Sequence, residues 1–171
     1  MQTIYIDLVG PLLVTTQNNR YILTMEDAFT RWVHAVPLVN KEASTVAKQF
    51  VDKWVYLWGT PVSLHSDNGR EFTAELFGEV MKALGIEKTF TPPYNPQSNP
   101  IERFHRSLHS TLRVLLDNEK GDWEKLLPVA CFSYNTKCHS ATGLSPHYAL
   151  LGREARLPVD LLVQLPDEQD L

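Results

Sequence analysis

Three acidic residues carry the chemistry open to this sequence: Asp7 in Ile4-Tyr5-Ile6-Asp7-Leu8, Asp67 in Leu64-His65-Ser66-Asp67-Asn68-Gly69, and Glu102 in Ile101-Glu102-Arg103-Phe104-His105. Carboxylate oxygens are hard donors that suit hard divalent cations such as Mg²⁺. Two such ions can clamp the attacking and leaving oxygens of an in-line phosphoryl displacement. The first acid lies in an alternating apolar stretch, the second ends a short apolar run at a turn, and the third opens an amphipathic helical pattern. A strand middle, a strand end and a helix start can converge at one edge of a sheet, so Asp7, Asp67 and Glu102 are expected to act as metal ligands and catalytic groups together.

Each acid taken alone has a plainer explanation. Aspartate is depleted in strands, which weighs against Asp7 as an ordinary exposed strand residue. Asp67 before Asn68-Gly69 reads as a turn former, and Glu102 near a helix start is favoured by the helix dipole. Only their combination favours a site. His65 and His105 are not expected as ligands, because neither has a second imidazole or thiolate at ligand spacing. No Gly-x-Ser-x-Gly or similar activated nucleophile points to a covalent intermediate.

The elements that must position these acids are legible as periodicities. Gln2 to Val9 alternates Ile4, Ile6 and Leu8 on one face with Tyr5, Asp7 and Val9 on the other, the period of a strand, stopped by Gly10-Pro11. About Arg20 to Met25 and Arg31 to Pro37 form two more strands, separated by a Glu26-Asp27-Ala28-Phe29 link, giving a meander. Lys41 to Trp58 reads as a helix opened at Asn40 and ended by Gly59, Pro61 to Leu64 as a short strand, Thr73 to Leu84 as a helix, and Ile86 to Phe90 as a fifth strand. Thr91 to Pro100 holds four prolines and no period, hence a loop. Then comes a helix over Ile101 to Leu116, with Ile101, Phe104, Leu108, Leu112 and Leu115 on one stripe and Glu102, Arg106, His109 and Arg113 on another. A helix from Asp122 and a short one near Ser145 to Leu151 follow. Three strands followed by alternating helix and strand predict an α/β fold, a five-stranded mixed sheet with helices on both faces. Residues 1–152 form the expected domain and 153–171 a tail or linker. The four tryptophans, Trp32, Trp54, Trp58 and Trp123, fall in apolar patterns and are assigned to the core.

Composition narrows the function. A chain of 171 residues, 43% of them hydrophobic, can bury the core of one domain. With 16 basic against 20 acidic residues, net −4, the charge balance argues against a polyanion-binding surface over the whole molecule, so nucleic-acid contact would have to be local. Arg106 and His109 trail Glu102 along one helix face where a phosphate backbone could be tracked. Tyr94, Gln97 and Asn99 in the Pro-rich loop could touch a DNA end, with Tyr94 able to stack on an unpaired base. Cys131 and Cys138 suit neither a disulfide framework nor a zinc site and are expected as free thiols. No apolar run approaches the ~18 residues that span a bilayer, and no signal peptide is evident, so a soluble intracellular chain without membrane contact is expected.

The motifs together resemble the catalytic core of integrases of retroviruses and gypsy-type LTR retrotransposons. They are Ile6-Asp7-Leu8-Val9-Gly10-Pro11, His65-Ser66-Asp67-Asn68-Gly69-Arg70-Glu71-Phe72, Pro93-Tyr94-Asn95-Pro96-Gln97-Ser98-Asn99, Glu102-Arg103-Phe104-His105-Arg106 and Thr142-Gly143-Leu144-Ser145-Pro146. The resemblance implies an RNase H-like fold whose Asp, Asp, Glu triad binds two Mg²⁺ per site, with Mn²⁺ as a substitute. It also implies trimming of element DNA 3′ ends and their joining to target DNA, double-stranded DNA as partner, a homodimer or higher multimer, and nuclear action after a cytoplasmic stage. By position, Asp7, Asp67 and Glu102 match the triad. One departure stands out: 102 − 67 − 1 leaves 34 residues between the last two acids, one fewer than usual, and the glycine common before the last acid is missing. The shortening falls in a loop, where it costs little, and Pro100 suits the first position of a helix capped by Asn99. A core cut from, or derived from, a longer polyprotein is expected. Two rivals share the pattern: an RNase H-type nuclease that cuts without joining, and an inactive or host-adopted core serving as a DNA-binding or assembly module.

Overall fold

Alternation along β1 (Thr3–Val9) buries Ile4 and Ile6 fully on one side of the sheet and turns Tyr5, Asp7 and Val9 to the other. The computed structural model describes residues 1–92, 101–116, 122–140 and 142–157. β1 pairs antiparallel with β2 (Tyr21–Asp27), which pairs antiparallel with β3 (Val33–Leu38). On its other edge β1 pairs parallel with β4 (Ser63–Ser66), and β4 parallel with β5 (Glu87–Phe90), giving the order β3-β2-β1-β4-β5. The mixed five-stranded sheet and its flanking helices are those of an RNase H-like fold.

Two cores sandwich this sheet. On the Ile4 and Ile6 side it packs against α1 (Ala43–Phe50) through Val46, Ala47 and Phe50, and against α4 (Glu75–Ala83) through Phe77 and Met81. On the Val9 side Ile22, Val33 and Ala35 meet two helices. These are α5 (Ile101–Leu116), presenting Ile101, Phe104, Leu108 and Leu112, and α6 (Leu127–Thr136), presenting Leu127, Ala130, Cys131 and Tyr134. The i, i+3, i+7, i+11 stripe of α5 is what binds it to the sheet, and that packing fixes where Glu102 stands.

Several boundaries differ from the periodicity. Glu26 and Asp27 end β2 instead of opening a link, because each finds partners a few residues on. Asp27 Oδ2 accepts from Thr30 N at 2.9 Å and Thr30 Oγ1 at 2.6 Å, and Glu26 Oε1 accepts from Arg31 Nη1 at 3.3 Å. The first helix starts at Ala43, after Asn40 Oδ1 has accepted from Glu42 N at 3.1 Å. It continues through a π-helical turn, Val51–Val55, and the last turn α2 (Tyr56–Trp58) to Gly59 at φ 84°. The π turn contains Trp54, the largest fully buried side chain among the described residues. β4 lies two residues later than expected, since Ser66 still pairs with Phe90. The expected helix from Thr73 to Leu84 is broken at Ala74, whose ψ of 143° separates α3 (Arg70–Thr73) from α4. The helix expected from Asp122 opens as a 3₁₀ turn, Trp123–Leu126, before α6.

Trp54 and Trp123 are core; Trp32 and Trp58 are partly buried against it, stacked edge-on at 5.8 Å. Both cysteines are free thiols, Cys131 buried and Cys138 exposed. The last helix, α7 (Pro146–Leu151), is capped by Ser145 Oγ accepting from Tyr148 N at 2.9 Å. The chain beyond it folds back, Glu154 Oε2 accepting from Ser145 Oγ at 2.7 Å. Residues 158–171 of the expected tail lie outside the described residues. Among the described residues no helix is long and apolar enough to cross a membrane.

α6 is also stitched to β3 by one buried amide. Asn135 Oδ1 accepts from Val33 N and Asn135 Nδ2 donates to Val33 O, both at 2.9 Å. Asn135→Ala leaves both buried backbone groups unpaired and is expected to lower stability by about 2–3 kcal/mol, read as a lower urea midpoint.

Candidate functional site

Asp7 and Asp67 are brought side by side by strand register. The parallel β1–β4 ladder pairs Tyr5 with His65, and their rings meet edge-on at 5.2 Å. Two residues further on come Asp7, still in β1, and Asp67, one residue past the end of β4. Asp7 faces the side of the sheet that α5 covers, so Glu102 in the first turn of α5 approaches from above. Asp7 is half-buried, whereas Asp67 and Glu102 are exposed.

The electrostatics register this crowding. Burial raises the pKa of Asp7 to about 6, opposed by the Leu8 amide, which donates to Oδ1 at 2.7 Å, and reinforced by the charges of Asp67, Glu102 and Glu71. The charges of three further carboxylates thus bear on Asp7, one of them, Glu71, paired with Lys41 Nζ at 3.6 Å. The donor chemistry fits hard divalent cations. The side-chain positions are not those of a closed chelate: among the described residues no three His, Cys, Asp or Glu side chains converge tightly enough to hold one ion.

Sequence reasoning missed the supporting residues. His105 Nδ1 lies 4.0 Å from Asp7 Oδ2, and its Nε2 is 2.8 Å from Thr24 Oγ1. Thr24 gives its single hydroxyl hydrogen to the Asp7 carbonyl at 3.1 Å, so His105 donates from Nε2 and keeps Nδ1 bare toward the carboxyl. Burial, then His109, pushes the His105 pKa down to about 4, so the ring is neutral. The available signal was position: His105 is three residues after Glu102, on the same helix flank.

Glu71 is the second omission. Asp67 Oδ1 accepts from Gly69 N at 2.9 Å, a tight local turn. A Cβ placed on Gly69 would stand 2.9 Å from Asp67 Oδ1 and 3.0 Å from Glu71 Oε1. Two carboxylates therefore close on this glycine. Gly69→Ala keeps an allowed backbone, φ −56°, but must push both acids aside. It is expected to weaken Mg²⁺ affinity by about tenfold with little change in melting temperature, by titration calorimetry and thermal denaturation.

Beside Asp67 the start of the Pro-rich segment is pinned. Thr91 N donates to Ser66 O at 2.9 Å, Asn68 Nδ2 donates to Thr91 O at 3.2 Å, and His65 bonds Thr89 and Thr91 through its two ring nitrogens. Tyr94, Gln97 and Asn99 lie outside the described residues. Arg106 and His109 are exposed on α5, leading away from Glu102.

Residues 1–96 match the family model described as Integrase core domain. The chain is 28% identical over 156 residues to the Retrovirus-related Pol polyprotein from transposon 412 of Drosophila melanogaster, covering 91% of this chain and 13% of that protein. It is 36% identical over 137 residues to the Gag-Pol polyprotein of woolly monkey sarcoma virus, covering 78% of this chain and 8% of that one. The chain thus spans only about a tenth of the length of these relatives. The crystal structure of the catalytic core domain of BIV integrase superposes with a TM-score of 0.68 at 29% identity, covering 88% of this chain and 94% of that chain. The HTLV-2 integrase catalytic core domain, solved in complex with magnesium in a trimeric form, superposes at 0.68 with 16% identity over 86% and 95%, a likeness of fold alone.

Proposed function

Because the chain belongs to the integrase core family, we propose that it is a polynucleotidyl transferase that trims the 3′ ends of element DNA and joins them to target DNA. The observation that carries this reading is the placement of Asp7 on β1, Asp67 just past the end of the adjacent parallel β4 and Glu102 in the first turn of the helix packed over them, close enough that the charges of Asp67 and Glu102 both raise the proton affinity of Asp7. Asp7, Asp67 and Glu102 would hold Mg²⁺, or Mn²⁺ in its place, two ions per site. When bound, the cations lower the pKa of the attacking water or 3′-hydroxyl and offset the charge of the phosphodiester. Asp7 is clamped by the Leu8 amide and backed by neutral His105, Asp67 is held by the Gly69 amide, and Glu102 stands exposed at the start of α5. Arg106 and His109 would track the backbone, and Tyr94, Gln97 and Asn99 the DNA end. Phosphate contacts position a duplex without reading it, so target recognition is largely indifferent to sequence. Self-association as a homodimer or larger multimer is part of this proposal, supported by Val129 and Phe132, half-exposed on α6. So is nuclear action on host DNA after a cytoplasmic stage.

The test is a strand-transfer assay with a recessed duplex end and Mg²⁺. Joined product is expected; cutting without joining would favour a nuclease. A second reading, an assembly or DNA-binding module without catalysis, is favoured by the lack of three converged side chains among the described residues. It prevails if calorimetry detects no Mg²⁺ or Mn²⁺ binding.

The proton on Asp7 sets a pH dependence. Its folded pKa of about 6 lies above the ordinary 3.8, so the metal-free protein loses stability as pH rises from about 4 through about 6. Cation binding must displace that proton. Mg²⁺ affinity is therefore expected to fall about tenfold per pH unit below about pH 6 and to level off above it, in titrations at fixed ionic strength.

A further inference from the structure

Away from the acidic edge, α5 and α6 enclose a groove of about 370 Å³. Arg106, Ser110 and Thr111 line it from α5, Ser133 from α6 and Lys137 from just past its end, beside Ala130 and Tyr134. No carboxylate is among the lining residues. Among the described residues Arg106 and Lys137 form no ion pair, and the hydroxyls of Ser110, Thr111 and Ser133 form no hydrogen bond. In a chain of net charge −4, two unpaired cations lining one groove beside unused hydroxyl donors make a local exception. Such a lining suits an oxygen-rich anion, which both cations attract and to whose oxygens the hydroxyls can donate.

The location narrows which anion. Arg106 stands one helical turn beyond Glu102 and Ser110 two, roughly 6 and 12 Å along the axis at 1.5 Å per residue. One strand of a duplex places a phosphate about every 3.4 Å of axis. A strand reacting at the acidic edge can therefore lay a phosphate in this groove within about four base pairs.

We propose that the α5–α6 groove seats a backbone phosphate of duplex DNA a few base pairs from the reacting end, with the Ser133 hydroxyl of α6 and Lys137 just past its end completing a seat begun by Arg106. This assignment rests on reading the acidic edge as a site of DNA chemistry. Lys137 and Ser133 are exposed and outside that edge, so their replacement tests the groove separately.

The experiment measures binding of the full chain to a fluorescent duplex by anisotropy from 50 to 200 mM salt, for the unmodified protein, Lys137→Gln, Ser133→Asp and Asp67→Asn. The Lys137→Gln slope of log K against log salt is expected to be shallower by about 0.9, with an affinity loss shared by unrelated sequences. Ser133→Asp, which puts a negative charge into the groove, is expected to weaken binding at least as much, both variants keeping the parent melting temperature. Unchanged slope and affinity in both variants overturn the proposal. If Asp67→Asn still abolishes joining in that case, the acidic edge keeps its assignment and only the groove falls. Inorganic phosphate distinguishes a free-anion site. Should it shift the Ser110, Ser133 and Lys137 amide resonances while the DNA slope stays unchanged in Lys137→Gln, the groove holds small anions and the DNA assignment is overturned.

Discussion

Asp67→Asn is expected to reduce Mg²⁺-dependent joining of a recessed DNA end by roughly three orders of magnitude or more, while leaving the fold intact. The size follows from what the substitution removes. Asn keeps a carbonyl oxygen that can still accept from Gly69 N, the 2.9 Å bond that shapes the turn, so the backbone at residues 67–69 has no reason to move. It loses the negative charge that makes residue 67 a competent partner for a hard cation. One of the three charges raising the proton affinity of Asp7 disappears as well, so Asp7 should titrate lower in the variant. A two-dimensional NMR titration of the Asp7 carboxyl reads that second effect without any substrate. Retention of joining in Asp67→Asn, with unchanged melting temperature, would remove Asp67 from the chemistry.

Phe104→Ala is expected to cost about 3–5 kcal/mol of stability. Phe104 is fully buried on the stripe that fastens α5 to the sheet, and its ring meets Tyr134 of α6 edge-on at 5.0 Å. Its loss opens a cavity between α5 and α6, one residue before His105 and two after Glu102. Urea denaturation should show the lower midpoint at an unchanged slope. At temperatures where the variant is still folded, joining is expected to fall further than Mg²⁺ affinity, because α5 carries Glu102 and Arg106 on the opposite flank from the cavity.

How much of this was legible depended on whether a residue's role follows from its neighbours in sequence or in space. The α5 stripe from Ile101 to Leu112 was readable because i, i+3 and i+4 repetition survives in any helix that packs on a sheet. The alternation in β1 was readable for the corresponding reason, and it put Asp7 on the correct side. Glu26 and Asp27 misled because two adjacent acids resemble a solvated turn. Their burial is tolerated through Thr30 and Arg31, partners that only the folded turn brings within reach. The π-helical turn at Val51–Val55 was invisible because Phe50 and Trp54 keep a helical spacing of four. Ala74 breaks its helix without Gly or Pro, so no local signal marked it. At the acidic edge the three acids stood out by type and motif, but Glu71 resembled any acid in a first helical turn. The role of His105 needed the geometry, since it depends on Thr24 from a different strand.

Asp7 and Asp67 are far apart in the chain, yet Asp7 lies on β1 and Asp67 just past the end of the parallel β4, and Glu102 arrives on a later helix that packs over the same side of the sheet. Parallel pairing of distant segments forms slowly compared with local hairpins and helices. During synthesis the β1–β2–β3 meander can close as soon as it leaves the ribosome, carrying Asp7 alone. All three acids are brought together only after α5 docks on the sheet. The site's assembly thus waits on pairing between distant segments, while the meander that carries Asp7 needs only its neighbours in the chain.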